Sequence, residues 1–400
     1  MGRFSNKLSN EAVQYYSNYE RNKHLQQTDW RLPEFRSELF NRYAKWRTTV
    51  HDLDHSHYCQ VLTEDYDYEQ KAWFAFAFGQ TYRTPQAYVF AEQFPRLQTS
   101  VNELNEWNTG NWKRCTYGTD ARYNKGHFAK QSESVLNWLN GSTFEDKFNS
   151  ILVHDSQREN FYALYKEITG LYKYGRMTGW LTMQALYDVL QLPIDPEQIM
   201  LDGFNPNNDS SLKSIWNGLM MYHNTPHKCV GGKYGNYIVT KKDSEWADRE
   251  LMELTTRAEE LGEFTMDSFK KESIWCQYKR FFREGNSVEY PGHASGDATS
   301  RYLYYRDNFP EYDWSKFRKA LRSQPSIIAG KTFVDWHNGI FGRTGGLLNM
   351  HEMFDDMDNM YELMDMPEDY AILVELWEDD GLEAPVQTPV SLPGTLSAFF

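Results

Sequence analysis

Apolar positions recur at three- and four-residue spacings along most of this chain, and few segments alternate with period two, so the pattern predicts helices rather than strands. Residues 11–50 are rich in Tyr, Leu, Glu and Arg and end in "LFNRYAKWRTTV", a helical start. "DYEQKAWFAFAFGQTYRTPQAYVFAEQF" reads as an apolar helix, a break at Gly79, and a second helix with Pro85 in its first turn. "TSVNELNEWN" opens another helix behind a Ser/Thr cap. Residues 111–128, "NWKRCTYGTDARYNKGHF", are too polar and glycine-rich for a regular element and form a predicted loop whose aromatics argue against disorder. Helices resume in "KQSESVLNWLNG", "RENFYALYKEITGLY" and "TGWLTMQALYDVLQL". The Asn- and Gly-rich stretch from Asp202 to Val239 reads as a second polar region. Amphipathic helices follow in "DSEWADRELMELTTRAEELGE", "MDSFKKESIWCQYKRFFREG" and "SGDATSRYLYYRDNF", the last with Asp297 in its first turn. The class is mainly α, and no internal repeat is present.

Composition refines this picture. Hydrophobic residues make up 40% of 400, enough for a substantial core, and aromatics make up 16%, a heavy load that serves as core filling or as stacking surface for flat ligands. No apolar run approaches the ~18 residues of a membrane span, and "MGRFSNKLSNEAVQYY" lacks the apolar stretch of a signal peptide, which points away from membranes and toward a cytoplasmic setting. Cys59, Cys115, Cys229 and Cys276 are widely spaced, so neither a disulfide framework nor a cysteine metal site is expected. "HDLDHSHYC" gathers His51, His55 and His57 with Asp52 and Asp54, but without a second ligand cluster it reads as a solvated polar segment or a local hydrogen-bonding site. Neither a metal nor a cofactor is expected.

The net charge of −14 is unevenly distributed. Residues 351–400 hold 13 acidic and no basic residues, leaving residues 1–350 with 42 basic against 43 acidic. The body is therefore near neutrality and compatible with a basic groove, while the acidic tail turns Pro-rich, is expected to be disordered, and ends in "LSAFF". "IAGKTF" has Pro325 where a phosphate loop has its first glycine, and GxSxG, HExxH and dinucleotide GxGxxG patterns are absent.

"LYKYGRMTGW", residues 171–180, raises a sharper possibility. A glycine turn between two helices lets backbone N–H groups approach a phosphate, and the following helix N-terminus adds its positive dipole end; the alternative is an ordinary helix start with a tertiary contact. The pattern resembles the hairpin of helix-hairpin-helix DNA glycosylases, with Gly175, Arg176, Thr178 and Gly179 in matching positions. That resemblance implies a catalytic Asp, and Asp195 stands 20 residues beyond Gly175, with Asp202 a second candidate. Lys173 replaces the usual first glycine. Met177 occupies the place of the lysine in bifunctional members, so a lyase mechanism is not expected.

Together with "AFGQTYRTPQAYVF", "YGTDARYNKGHF", "ESIWCQYKRFF" and "GHASGDATSRYLYYR", the hairpin makes residues 60–320 similar to the phage-encoded alpha-glutamyl/putrescinyl thymine pyrophosphorylase family. The resemblance implies a helix-hairpin-helix, glycosylase-like helical core with long loops. It divides the chain into an N-terminal helical part, 1–140, bearing the "TYRTP" and "TDARYNK" loops; a core, 141–345; and an acidic, partly disordered tail, 346–400. It implies transfer chemistry in the host cytoplasm: an amino acid or polyamine displaces pyrophosphate from activated hydroxymethyluracil in double-stranded DNA. Such chemistry needs cations for the departing phosphates and a carboxylate to keep the amine deprotonated. Arg83, Arg122, Lys125 and Arg301 are the phosphate candidates, with Gly175, Arg176 and Thr178 holding the DNA; Asp195 or Asp202 is the base, and Asp120 and Asp297 are alternatives. Tyr82 and Trp180 are candidates to stack on an extruded base. The "LSAFF" end resembles the peptides by which replication proteins dock on sliding clamps. A hydrolytic DNA glycosylase and a non-catalytic helical DNA-binding or virion-assembly protein are the rival readings.

Overall fold

A computed structural model describes residues 31–49, 55–97, 101–118, 121–200, 205–208, 210–231, 236–282, 302 and 304–322. The mainly α expectation holds: among the described residues the only β pairing is an isolated antiparallel bridge between Val230 and Asn236. The chain divides into two compact units. In the first, α1 (Arg36–Thr49) buries Leu39, Phe40, Tyr43 and Ala44; Tyr43 meets Phe281 edge-on at 5.1 Å, and the Arg36 guanidinium lies 4.8 Å from the Phe282 ring.

The second unit, which takes in the described residues from 55 to 279 and 302 to 322, is built around α3 (Tyr68–Thr81). Residues 72–81 of α3 are buried without interruption, as expected of a helix enclosed on all sides rather than amphipathic. Asp67 caps it by accepting from Gln70 N at 3.0 Å. Gly79 lies inside this helix and does not break it. A Cβ there would stand 1.9 Å from Thr182 Oγ1, so glycine is what lets α9 (Arg176–Leu190) cross α3 at close range. α4 (Thr84–Gln93) follows after the two residues Tyr82 and Arg83, and α5 (Val101–Asn111) packs beside α6 (Phe128–Leu139). Phe128 of α6 stacks on Phe90 of α4 with ring centroids 3.7 Å apart. α7 (Phe144–Ile151), capped by Thr143, leads to α8 (Gln157–Thr169), which packs on α9. Because α9 crosses α3, helices on both sides of residue 140 share one core, and the division drawn at that residue from sequence runs through the second unit.

The histidine-rich segment and the later polar region are both more regular than their composition suggests. "HDLDHSHYC" runs into a helix, α2 (His55–Leu62), with Tyr58, Cys59 and Leu62 buried and Ser56 Oγ donating to Asp188 Oδ2 of α9 at 2.6 Å. Of its ligand candidates, His51, Asp52 and Asp54 lie outside the described residues, as do the side chains of His55 and His57. The polar region after residue 202 contains α10 (Ser210–Tyr222). Its buried residues Leu212, Ile215, Trp216, Leu219 and Met220 fall at i, i+3, i+4, i+7 and i+8, a helical stripe hidden by flanking Asn and Gly.

α11 (Lys241–Gly262) begins with a capping box between Thr240 and Asp243, and α12 (Ser268–Tyr278) packs against α10. α13 (Ser315–Arg322) closes on α2, with Phe317 stacked on Tyr58 at 5.4 Å. Among the described residues most aromatics are core: Trp73, Trp180, Trp216 and Trp275 are fully buried. Trp180, expected as a stacking surface, is enclosed between Phe161 at 6.0 Å and Phe269 at 4.9 Å, because its helix turns that face inward. Among the described residues no helix is long and apolar enough to cross a membrane, and no group of three His, Cys, Asp or Glu side chains is placed to hold a metal ion.

Candidate functional site

Two helix-to-helix turns flank the α3–α9 crossing. The first follows α3: Tyr82 adopts φ +48° and donates its N–H to Phe78 O at 2.7 Å, after which Arg83 precedes α4. The second is the hairpin after α8. Its left-handed residue is Lys173, at φ +57°, where the helix-hairpin-helix pattern carries glycine; Gly175 itself is extended, at φ −70° and ψ −176°. A Cβ at Gly175 would meet nothing within 4 Å, so neither conformation nor packing demands glycine there. Gly175 is exposed and places no side-chain cap on α9, whose first N–H groups therefore start an uncapped helix terminus.

Buried amides tie the hairpin down. Gln80 Nε2 donates to Tyr174 OH at 2.5 Å, and Gln131 Nε2 to Lys173 O at 3.4 Å. Asn124 Nδ2 bridges the two turns, donating to Gln80 O at 3.0 Å and Thr178 Oγ1 at 3.3 Å. The sequence reading missed all three amides. Only Asn124 carried a signal, its place within "TDARYNK".

Segment 112–118 covers the first turn. Gly118 N donates to Thr81 O at 2.8 Å, and Thr116 N to Gln86 Oε1 at 3.0 Å. Tyr305 OH also donates to Gln86 Oε1, at 2.8 Å, and sits 2.5 Å from Thr116 Oγ1. Lys125 Nζ donates to Cys115 O at 2.8 Å and lies 4.5 Å from the Trp112 ring. Burial pushes the Cys115 thiol up to about 12 despite nearby Lys125, and burial likewise raises the Tyr117 and Tyr174 phenols, so these three groups are uncharged at physiological pH. Residues 112–118 and 121–127 thus form hydrogen-bonded turns, including a 3₁₀ turn at Arg122–Asn124.

The structure brings Arg176 and Asp195 to one helix, α12. The Arg176 side chain is only 4% exposed; it lies 3.7 Å from Glu272 and 6.0 Å from the Trp180 ring. Asp195 accepts from Glu197 N at 2.7 Å, from Ser268 N at 3.3 Å and from Ser268 Oγ. Ser268 and Glu272 are four residues apart, one turn of α12. Asp248 of α11 accepts from Ile199 N at 3.1 Å and Met200 N at 2.9 Å, which anchors the described chain two residues short of Asp202. Asp120, Asp202, Asp297 and Arg301 lie outside the described residues, and so does the side chain of Arg122, as do the acidic tail and "LSAFF". Tyr82 and Arg83 are half-buried beside segment 112–118, and Thr178 is buried against Asn124.

A mainly helical chain with this uncapped hairpin terminus has a match among known proteins. The family model described as Amino acid:DNA transferase matches residues 48–286, more than half of the chain, and the chain belongs to that family. It is a transferase acting on DNA. Among curated proteins it is similar to a serinyltransferase of Salmonella phage ViI, with 25% identity over 306 residues, covering 71% of this chain and 72% of the relative. No solved structure matches.

Proposed function

We propose that this chain displaces pyrophosphate from 5-pyrophosphomethyluracil in DNA with the amine of an amino acid. The observation that carries the reading is the family match over residues 48–286, and the phage serinyltransferase makes serine the first co-substrate to test. In the step proposed, the amine nitrogen forms a bond to the exocyclic methylene carbon, the carbon–oxygen bond breaks, and pyrophosphate leaves with that electron pair. The ammonium proton goes to a carboxylate.

Phosphate charge is met in this reading by the uncapped terminus of α9, by Lys125 and Arg83, and by Arg122 and Arg301. Arg176 acts from within, because its guanidinium is buried beside Glu272. Asp202 is the preferred base. The Asp195 carboxylate is already engaged at the start of α12, accepting from Glu197 N, Ser268 N and Ser268 Oγ. Asp195 then positions the loop that leads to Asp202. Asp120 and Asp297 remain the alternatives for holding the amine.

The test is incubation with DNA containing 5-pyrophosphomethyluracil and serine, other amino acids or a polyamine, followed by nucleoside mass spectrometry. A seryl-conjugated nucleoside and free pyrophosphate are expected, with Asp202→Asn losing transfer while retaining DNA binding. Released free base would mean hydrolytic glycosylase chemistry, and unchanged DNA under saturating binding would mean a non-catalytic role.

A further inference from the structure

Exposed aromatics are rare among the described residues of this aromatic-rich chain. Among the described residues the exposed large apolar side chains are Trp112 at 49%, Tyr123 at 67% and Tyr172 at 40%, with the aliphatics Leu32, Val153, Ile238 and Leu261 scattered elsewhere in the sequence. Two contacts tie Trp112 and Tyr172 to the segment that carries Tyr123. Trp112 lies under Lys125 Nζ at 4.5 Å, Tyr123 is two residues from Lys125 on the 3₁₀ turn, and His127, two residues further, meets Tyr172 with Nδ1 3.2 Å from the phenol oxygen.

Cations alternate with these rings. Lys130 and Lys173 are exposed, and both lie near enough to His127 to help hold its pKa below the ordinary value, after desolvation as the first cause. His127 is therefore mostly neutral and serves to orient Tyr172. Their backbone is also anchored: Asn124, next to Tyr123, is buried and bonded to both turns, and Tyr172 N donates to Ser134 Oγ at 2.9 Å.

Resting on the DNA-transferase reading, we propose that Trp112, Tyr123 and Tyr172, interleaved with Lys130 and Lys173, form a platform that stacks unpaired bases of a single DNA strand and tracks its phosphates. Exposed rings beside ammonium groups suit a strand whose base faces are free, since in a duplex those faces are already covered by neighbouring bases. Lys125, bonded to Cys115 O, holds Trp112 in place.

The test uses the full-length protein with a fluorescently labelled single strand of about 15 nucleotides and the blunt duplex of the same sequence, with anisotropy measured across a salt series. The single strand is expected to bind more tightly. Trp112→Ala, Tyr123→Ala and Tyr172→Ala should each weaken it by roughly 5- to 100-fold with an unchanged salt slope, while Tyr123→Phe retains affinity. Lys130→Ala and Lys173→Ala should each lower the slope by about 0.7. Circular dichroism melting of each variant confirms that it folds. Equal or tighter binding to the duplex, or wild-type affinity in the triple alanine variant, overturns the platform even where transfer activity is intact. Absence of both DNA binding and transfer overturns the DNA reading itself, and the platform with it.

Discussion

The turn at Tyr82 and the hairpin at Lys173 use the same backbone device, a bulky residue in the left-handed region between two helices, and put it to opposite ends. At Tyr82 the ring packs on Phe78, 6.1 Å away, and segment 112–118 lies over the turn through hydrogen bonds to Thr81 O and Gln86 Oε1. At Lys173 the side chain is exposed, with Tyr172 and Gly175 exposed beside it, and the helix terminus that follows carries no side-chain cap. The first turn is covered on its Tyr82 side and leaves Arg83 half-buried, whereas the second leaves its backbone exposed. The difference lies in what covers each turn, not in its own conformation.

The largest test concerns the inward side of the hairpin. Glu272→Ala leaves a buried guanidinium without its carboxylate and should cost about 3–5 kcal/mol in urea unfolding, whereas the double variant R176M/E272M should recover most of that. A loss well under 1 kcal/mol would mean that Arg176 is not held inward. Gly79→Val strikes the crossing that both turns share and should cost about 1–3 kcal/mol, read as a lowered urea midpoint.

A paired substitution addresses the comparison directly. Lys173→Gly relieves a left-handed non-glycine residue and should stabilise by on the order of 1 kcal/mol, because an exposed side chain gives up little packing. Tyr82→Gly gains the same relief but loses its ring contacts, so the net effect should be destabilising by thermal melting. Equal signs would show that the two turns are not differently covered.

The smallest effect lies at the far end of α3. Hydrogen bonding to Arg96 holds the Asp67 carboxyl down at about 2, although partial desolvation opposes this. A depressed carboxylate pKa adds stability that is complete above the unfolded value near 4 and is lost as pH falls toward 2. Asp67→Asn should flatten the fall in melting temperature between pH 4 and pH 2, and only slightly, since the pair is about half exposed.

Much of the helical plan was legible in the pattern of apolar residues, including the central apolar helix, the amphipathic α11 and the hairpin before α9. α10 was obscured because Asn and Gly on both sides outweighed a clean five-position stripe. Gly79 misled for a different reason: glycine marks a break in a solvated helix, but here it marks a crossing, and only Thr182 reveals which. The candidate site was legible as motifs rather than as directions. Arg176 was read as reaching for phosphate, yet its partner Glu272 lies 96 residues away in sequence. Asp195 was read from its spacing, while its hydrogen bonds to Ser268 come from another helix.

The order of apolar and polar residues alone determined that this chain is mainly helical, where its turns fall and which family its motifs resemble, because these depend on local periodicity and on residue types. The tertiary structure decided that Arg176 faces inward, that Lys173 takes the glycine conformation and that Trp112, Tyr123 and Tyr172 are exposed. Side-chain direction and exposure depend on what packs against each element, and those partners, Glu272, Gln131 and Asn124 among them, lie too far along the chain for local spacing to announce them.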